Sequence, residues 1–566
     1  MRLWPLVLLT WYSLALSAST PEIVKRLHVR VPMRDGVQLA ANIFLPSDSA
    51  RFPVILVRTP YNKGDDLLPN YRFFVDHGYG MVVQDVRGRY ESEGTFDSFT
   101  QEPGDGDDTL NWIARQPWSD GKIGMLGGSY VGIVQWKAAW LNNPHLKAIA
   151  PVVSGYDDYL DRFYSTGGAF QLGHRLLWMS ENLQAPGFTA PDFASFVRTL
   201  PLRKADFAAT GQRREVFQKA LDHPGYDGYW RGTSTRARLD QIRVPVFSVG
   251  GWYDSFVESD LAAFSALRRN SGLHRIVIGP WPHNMSIKFA DVDFGRDSGA
   301  PIRRMQLEWF DQWLKSKDTP IMSRPPVHIF VMGANLWRDE HEWPLARARM
   351  TALYFAGKGR ANTLNGDGAL MVRPPRKGAP DRYEFDPRNP VPTSGGSVCC
   401  NPKIFPWGPM DQRPIERRPD VLVFTTPPLK ADLEVTGPVS VVLFASTSAP
   451  DTDFTAKLVD VFPTGEARNL TDGILRLRYR GSLEKSELAR PGEVYKLTID
   501  AGVTSNVFLK GHRVRLEISS SNFPRFDRNP NTGRPIADET VLRKASQTIY
   551  HDREHPSHVV LPVIPN

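Results

Sequence analysis

Cysteine is nearly absent from this chain: its 566 residues include two, and these are neighbours, Cys399-Cys400. Adjacent cysteines can close only a small ring between themselves, so no disulfide framework staples distant segments. A pair of thiols in a loop and a vicinal disulfide both remain open, and stability must come from burial. Long apolar runs are also scarce, and beyond the first residues none could cross a bilayer. There is no low-complexity tract and no obvious short repeat. The net charge is only +8, and no block of lysine and arginine interleaved with aromatics stands out. That argues against nucleic acid as a partner. None of the thirteen histidines lies in a cluster with metal-ligand spacing, and the tail pair His551/His555 reads as solvated surface. Neither a metal nor any other cofactor is implied.

What is present is globular: 41% hydrophobic, 23% charged, with 46 prolines and 45 glycines that imply many turns and appreciable β content. The length calls for two to four domains. At the start, Arg2 precedes an apolar stretch from Leu3 to Leu16 and the small residues Ser17, Ala18 and Ser19. This is the layout of a cleaved secretory signal over residues 1–19, an uncleaved anchor being the alternative. The expectation is a secreted or periplasmic protein with no membrane contact after signal removal.

The following chain alternates strands and helices. Ile23 to Val31 and Val37 to Leu45 flank Asp35-Gly36, a hairpin signal. Buried strands are expected at 52–58, 80–87, 123–126 and 146–153, then again at 244–250 and 275–279. Val-, Ile- and Leu-rich strands separated by helices imply a parallel sheet covered on both faces. Residues 154–239 break the alternation with helical patches and aromatics, which reads as an inserted helical cap. From Pro326 onward short strands recur between Pro-, Gly- and Asp-rich loops, beginning at Val327–Met332, the pattern of an antiparallel sandwich or jelly roll. The fold class is thus α/β: a core over 20–153 and 240–325, a cap inserted at 154–239, and an all-β part over 326–566.

Chemistry centres on Lys122-Ile-Gly-Met-Leu-Gly-Gly-Ser-Tyr-Val-Gly132. A buried strand, a glycine-flanked serine and a helix start make Ser129 a candidate nucleophile, raised above the sheet on a tight turn. Val131 stands where a strict G-x-S-x-G pattern wants glycine. In an open α/β sheet reactive residues follow the carboxyl ends of strands. Two later strands run into Gly250-Gly-Trp-Tyr-Asp254 and Gly279-Pro-Trp-Pro-His283. Alone, His283 reads as a turn residue and Asp254 as a helix N-cap. Together with Ser129 they stand in the order Ser, Asp, His, and supply a nucleophile, an orienting acid and a base.

Arg58-Thr-Pro-Tyr61, Asp85-Val-Arg-Gly88, Gly127-Gly-Ser-Tyr130, Gly251-Trp-Tyr-Asp254 and Gly279-Pro-Trp-Pro-His283 together resemble the cocaine esterase-like (CocE/NonD) hydrolases. These are related to X-Pro dipeptidyl peptidases and α-amino acid ester hydrolases. The likeness spans essentially the whole chain after the signal and implies an α/β-hydrolase core, a helical cap and a C-terminal jelly roll. It makes G-x-S-Y-x-G the expected form of the serine motif. It implies Ser129 as nucleophile, His283 as base and then acid, Asp254 as orienting acid, and the Tyr61 phenol and Tyr130 N–H as oxyanion donors. Such donors are worth about 3 kcal/mol each. Asp85 and Arg87 read as a structural ion pair near the site.

Substrate is read from what surrounds the motif. α-Amino acid ester hydrolases hold an ammonium with carboxylates close behind the triad aspartate, but here Ser255, Phe256 and Val257 intervene before Glu258. Asp157, Asp158 and Asp161 read as a solvated helix face, so a free α-amino group is disfavoured. The expected activity is cleavage of a small ester, amide or short peptide through an acyl-enzyme. The alternatives are an X-Pro dipeptidyl peptidase or acylase and, from another class, a non-catalytic jelly-roll binding protein. A homo-oligomer is left open.

Overall fold

Apolar strands that must be covered on both faces build the first of two large sheets. The computed structural model describes residues 22–565, so the signal expected at 1–19 lies outside the described residues. Strands β1 (Val24–Pro32), β2 (Gln38–Leu45), β3 (Phe52–Thr59), β4 (Gly80–Asp85), β5 (Ser119–Gly128), β6 (Leu146–Val152), β7 (Phe247–Tyr253), β8 (Arg275–Pro282), β9 (Val327–Val331) and β10 (Leu336–Glu340) form one sheet. Their order is 1-2-4-3-5-6-7-8-9-10. From β4 to β9 all neighbours pair in parallel, and the antiparallel pairs lie at the two edges. Helices α1 (Pro69–Asp76), α2 (Glu102–Ala114) and α3 (Tyr130–Ala139) connect the early strands. Every residue of α3 is buried, as an apolar helix between sheet and insertion must be.

Val327–Met332, expected to open the all-β part, instead closes the first sheet. β9 pairs parallel with β8, and β10 turns back on β9. A short apolar strand looks the same in either setting, because only its partners tell them apart.

Between β6 and β7 the chain is helical, including α4 (Leu172–Asn182). After β10 comes an eleven-stranded, almost wholly antiparallel sheet whose longest ladder joins Leu433–Thr447 to Tyr495–Phe508. The insertion docks on this β-rich part through main-chain bonds: Gly173 N–H donates to Pro524 O at 2.7 Å and Arg476 N–H to Gly167 O at 2.9 Å. Gly167 must be glycine, since a Cβ there would lie 1.9 Å from Ile474 O. Among the described residues no helix is long and apolar enough to cross a membrane.

His551 is not solvated as expected but 1% exposed, with Nε2 at 2.8 Å from Asp381 Oδ2. Burial of a polar ring requires such a partner. Arg476 is likewise buried, donating to both Asp453 oxygens (3.0 and 2.9 Å) and to Asp527 Oδ1 at 2.7 Å. Asp527 Oδ1 also accepts from Phe170 N–H, so the cluster ties insertion to sheet. Arg476→Met leaves two carboxylates unpaired and is expected to lower unfolding stability by about 3–5 kcal/mol. Urea denaturation would measure it, and an unchanged midpoint would show the cluster to be energetically idle.

Candidate active site

The four loops that matter leave the same edge of the sheet. Ser129 directly follows β5, Asp254 follows β7 and His283 follows β8, while Tyr61 lies two residues beyond β3. Ser129 has φ +55° and ψ −127°, a left-handed conformation that costs a non-glycine residue energy. It is held there by its N–H on Val152 O (2.9 Å) and by the N–H groups of Gly132 and Ile133 on its own carbonyl (2.8 and 3.0 Å). Buried Gln135 braces the fork below: its amide donates to Gly127 O and accepts from Ala150 N–H, both at 3.0 Å.

The awkward Val131 now has a reason. Gly127 has φ +137°, and a Cβ on it would lie 2.2 Å from Val131 Cγ1. The close crossing of helix and sheet falls one residue later, at Gly132, where a Cβ would lie 2.5 Å from Ser154 Cβ. Glycine is therefore needed at 127 and 132, and 131 can carry a side chain.

The three residues separated in sequence meet in space. His283 Nε2 lies 3.0 Å from Ser129 Oγ, and its Nδ1 lies 2.6 Å from Asp254 Oδ2. A carboxylate can only accept, so Nδ1 carries the proton and Nε2 is free to accept from the serine. The Asp254 side chain is 0% exposed and that of His283 is 11% exposed. Asp254 Oδ1 meanwhile accepts from Phe256 N–H at 3.1 Å. The cap-like role and the histidine contact therefore use different oxygens.

Tyr61 is turned toward this group by its N–H on Thr59 Oγ1 (3.0 Å). Trp178 of α4 donates Nε1–H to the Tyr61 phenol oxygen at 3.0 Å. Burial raises the phenol above its ordinary pKa, against the Trp178 donor and its contact with Ser129, which pull it down. It therefore stays protonated, and with its oxygen engaged its O–H is free to donate. The Tyr130 N–H opens α3, one of the donors a helix start leaves without an intrahelical partner, and it faces the Tyr61 phenol oxygen. The Tyr130 phenol points away from the cleft, giving its proton to Glu102 Oε1 at 2.8 Å, and Glu102 pairs with buried Arg58 at 2.8 Å.

Two acidic motifs behave differently from expectation. Asp85 and Arg87 do not pair. Asp85 is buried and accepts from Lys63 N–H at 2.7 Å, while Arg87 reaches Asp105 at 2.5 Å and Asp35 at 2.7 Å. β4 ends at Asp85 and Arg87 lies in the turn beyond it, so no strand geometry holds the two side chains on a common face. Asp157, Asp158 and Asp161 are buried, not solvated. Asp158 holds Lys137 (2.5 Å) and Arg162 (2.9 Å), and Asp157 accepts from the N–H groups of Tyr159 and Leu160. Asp161 accepts from the N–H groups of Tyr156 and Asp157 and from Ser259 Oγ at 2.7 Å. Burial pushes Asp161 up to about 7. The helix Val257–Asn270 covers this segment, which no local periodicity could reveal.

Trp178 is the site residue that sequence motifs missed, since it stood only among the aromatics of the insertion. His174, a turn earlier, is also buried, and burial holds its ring well below the usual histidine pKa.

Residues 35–285 match the X-Pro dipeptidyl-peptidase (S15 family) domain, and residues 320–560 match the X-Pro dipeptidyl-peptidase C-terminal non-catalytic domain. Cocaine esterase of Rhodococcus sp. (strain MB1 Bresler) is 41% identical over 565 aligned positions, covering 95% of this chain and 98% of that protein. An α-amino acid ester hydrolase structure superposes with TM-score 0.84 at 28% identity, covering 97% of this chain and 98% of that one. An aminopeptidase from a marine sediment archaeon, Thaumarchaeota archaeon, gives TM-score 0.84 at 28% identity over 98% and 99%. The class these likenesses define is a serine hydrolase. The chain belongs to the cocaine esterase-like (CocE/NonD) hydrolases, relatives of the X-Pro dipeptidyl peptidases and α-amino acid ester hydrolases.

Proposed function

We propose that this hydrolase cleaves a carboxylic ester or amide through an acyl-enzyme on Ser129. The observation that carries the reading is the continuous contact from Asp254 through His283 to Ser129. His283 Nε2 takes the hydroxyl proton as Ser129 Oγ attacks the carbonyl carbon, and Asp254 steadies the imidazolium. Tyr61 O–H and Tyr130 N–H receive the oxyanion. His283 then returns the proton to the leaving alcohol or amine, and water repeats the sequence to release the acid. The segment 1–19 is read as an export signal, so the working place is secreted or periplasmic. The helical insertion is read as a cap over the cleft and the β-rich part as a jelly roll closing its side.

The substrate is read as an acyl compound with an apolar group. Trp178 sits on the Tyr61 phenol, and Phe256 stands 5.6 Å from the His283 ring. These aromatics favour an apolar moiety. Dipeptidyl-peptidase action is the second reading, favoured by the S15 domain match. Against it, Asp158 is paired with Lys137 and Arg162, Asp157 is held by main-chain N–H groups and Arg236, and Asp161 takes three internal donors on Oδ2. A panel of p-nitrophenyl esters beside Gly-Pro-p-nitroanilide decides between the two. Esters are expected to turn over faster, and preference for the dipeptide would reverse the assignment. Failure of a fluorophosphonate to label Ser129 would point instead to a non-catalytic binding protein.

Tyr61→Phe removes one oxyanion donor and keeps the ring. Its kcat is expected to fall roughly 10²–10³-fold with little change in KM. Unchanged kcat would remove Tyr61 from the oxyanion hole.

A further inference from the structure

The chain's two cysteines have no part in the reaction above, yet they lie beside its cleft. They are joined to each other as a disulfide. Cys399 is fully buried and Cys400 is half-buried. Their loop is anchored on both sides: Ser397 Oγ donates to Trp252 O at 3.3 Å, and Asn401 Nδ2 donates to Glu181 Oε1 at 2.9 Å. The first turn of α4 brings His174 to the same place, and one of its ring nitrogens and both sulfurs lie within 4.8 Å of one another. His174 is 6% exposed and its Nδ1 has no hydrogen-bond partner. Leaving a buried polar nitrogen unsatisfied is costly, and a group in that state asks for an explanation. The His174 ring stands edge-on to Phe256 at 5.6 Å, and Phe256 lies 5.6 Å from His283.

We propose that His174, Cys399 and Cys400 form a three-donor site for a thiophilic divalent cation, Zn²⁺ or Cd²⁺, opened when an external dithiol reduces the disulfide. In the reduction the dithiol gives two electrons and two protons, the Cys399–Cys400 bond breaks, and the dithiol closes its own disulfide. On binding, the cation displaces both thiol protons to solvent and takes two thiolates and the imidazole lone pair. Thiolate with imidazole is the donor set that such ions prefer. Zn–S bonds of about 2.3 Å and a Zn–N bond of about 2.0 Å place tetrahedral ligand atoms about 3.5–3.8 Å apart. The imidazole nitrogen already lies within 4.8 Å of both sulfurs, and cleavage of the S–S bond frees the sulfurs to move apart to that separation. No motif spacing announces the site, because His174 and Cys399 lie far apart in sequence. The bound cation is two ring contacts from His283, so it is expected to slow hydrolysis by the reduced enzyme and leave the oxidised enzyme unaffected.

The test uses the full chain, whose only sulfhydryl signal comes from these two residues. Thiol titration should find none before dithiothreitol treatment and two afterwards. Titration of the reduced, desalted protein with Cd²⁺ should raise a sulfur-to-cadmium charge-transfer band that saturates at one equivalent per chain, with no band from the oxidised protein. Cys399→Ser with Cys400→Ser abolishes the band. His174→Ala weakens binding by at least the roughly 10–100-fold that loss of an outer-shell partner costs, and His174→Gln, which keeps a buried polar group, does the same. Ser129→Ala binds as wild type does, which separates this site from the hydrolase reading. The proposal is overturned if the two thiols do not appear, if the reduced wild type gives no saturable band, or if His174→Gln binds with unchanged affinity.

Discussion

Ser129→Ala is expected to lower kcat on the order of 10⁶-fold, as removal of a triad serine does. The argument rests on geometry, because Ser129 Oγ is the atom at 3.0 Å from His283 Nε2. Alanine bears the same Cβ at φ +55°, so the strain of the turn is unchanged and the fold should survive. The two oxyanion donors and the pocket remain, so KM should stay close to wild type and a small residual rate should persist. Stopped-flow with a p-nitrophenyl ester provides the measurement: the wild type shows a burst of one product per chain, and the variant shows none. A burst that survives in the alanine variant would falsify the assignment of the nucleophile.

Asp254→Asn is expected to cost about 10⁴-fold in kcat without unfolding the protein. The substitution is isosteric, and an amide oxygen in the Oδ1 position still accepts from Phe256 N–H. The other position, 2.6 Å from His283 Nδ1, would then hold an NH₂ group. Two donors cannot face each other, so the imidazole moves its proton to Nε2 and loses the lone pair that the serine needs. The same change removes the negative charge that steadies the imidazolium. Thermal melts near the wild-type value together with kcat at the wild-type level would show that the carboxylate only caps the helix Val257–Asn270.

Ser129, Asp254 and His283 were legible because each follows a strand whose apolar run is plain, and the order of three such loops is hard to produce by chance. Trp178 was not, since its role is defined by an oxygen 117 residues earlier in the chain. The pairing of Asp85 with Arg87 failed for a related reason: nearness in sequence at a strand end does not bring side chains together. The acids at 157, 158 and 161 illustrate the limit of periodicity. Their spacing fits a polar face, but the helix Val257–Asn270, Lys137 and Arg162 cover it and supply the donors.

By itself the sequence determined what short-range chemistry can fix: the glycines that permit the Ser129 turn, the parallel and antiparallel halves, and the carboxyl-end loops that carry acid and base. Only the tertiary structure decided which side chains meet. It moved Val327–Val331 into the first sheet, buried the acids of the insertion, set Trp178 on Tyr61, and brought His174 to the joined Cys399 and Cys400. The physical reason is that a strand or turn is specified by neighbours a few residues away. A hydrogen-bond partner or a covering helix is specified by packing between segments that no local pattern relates.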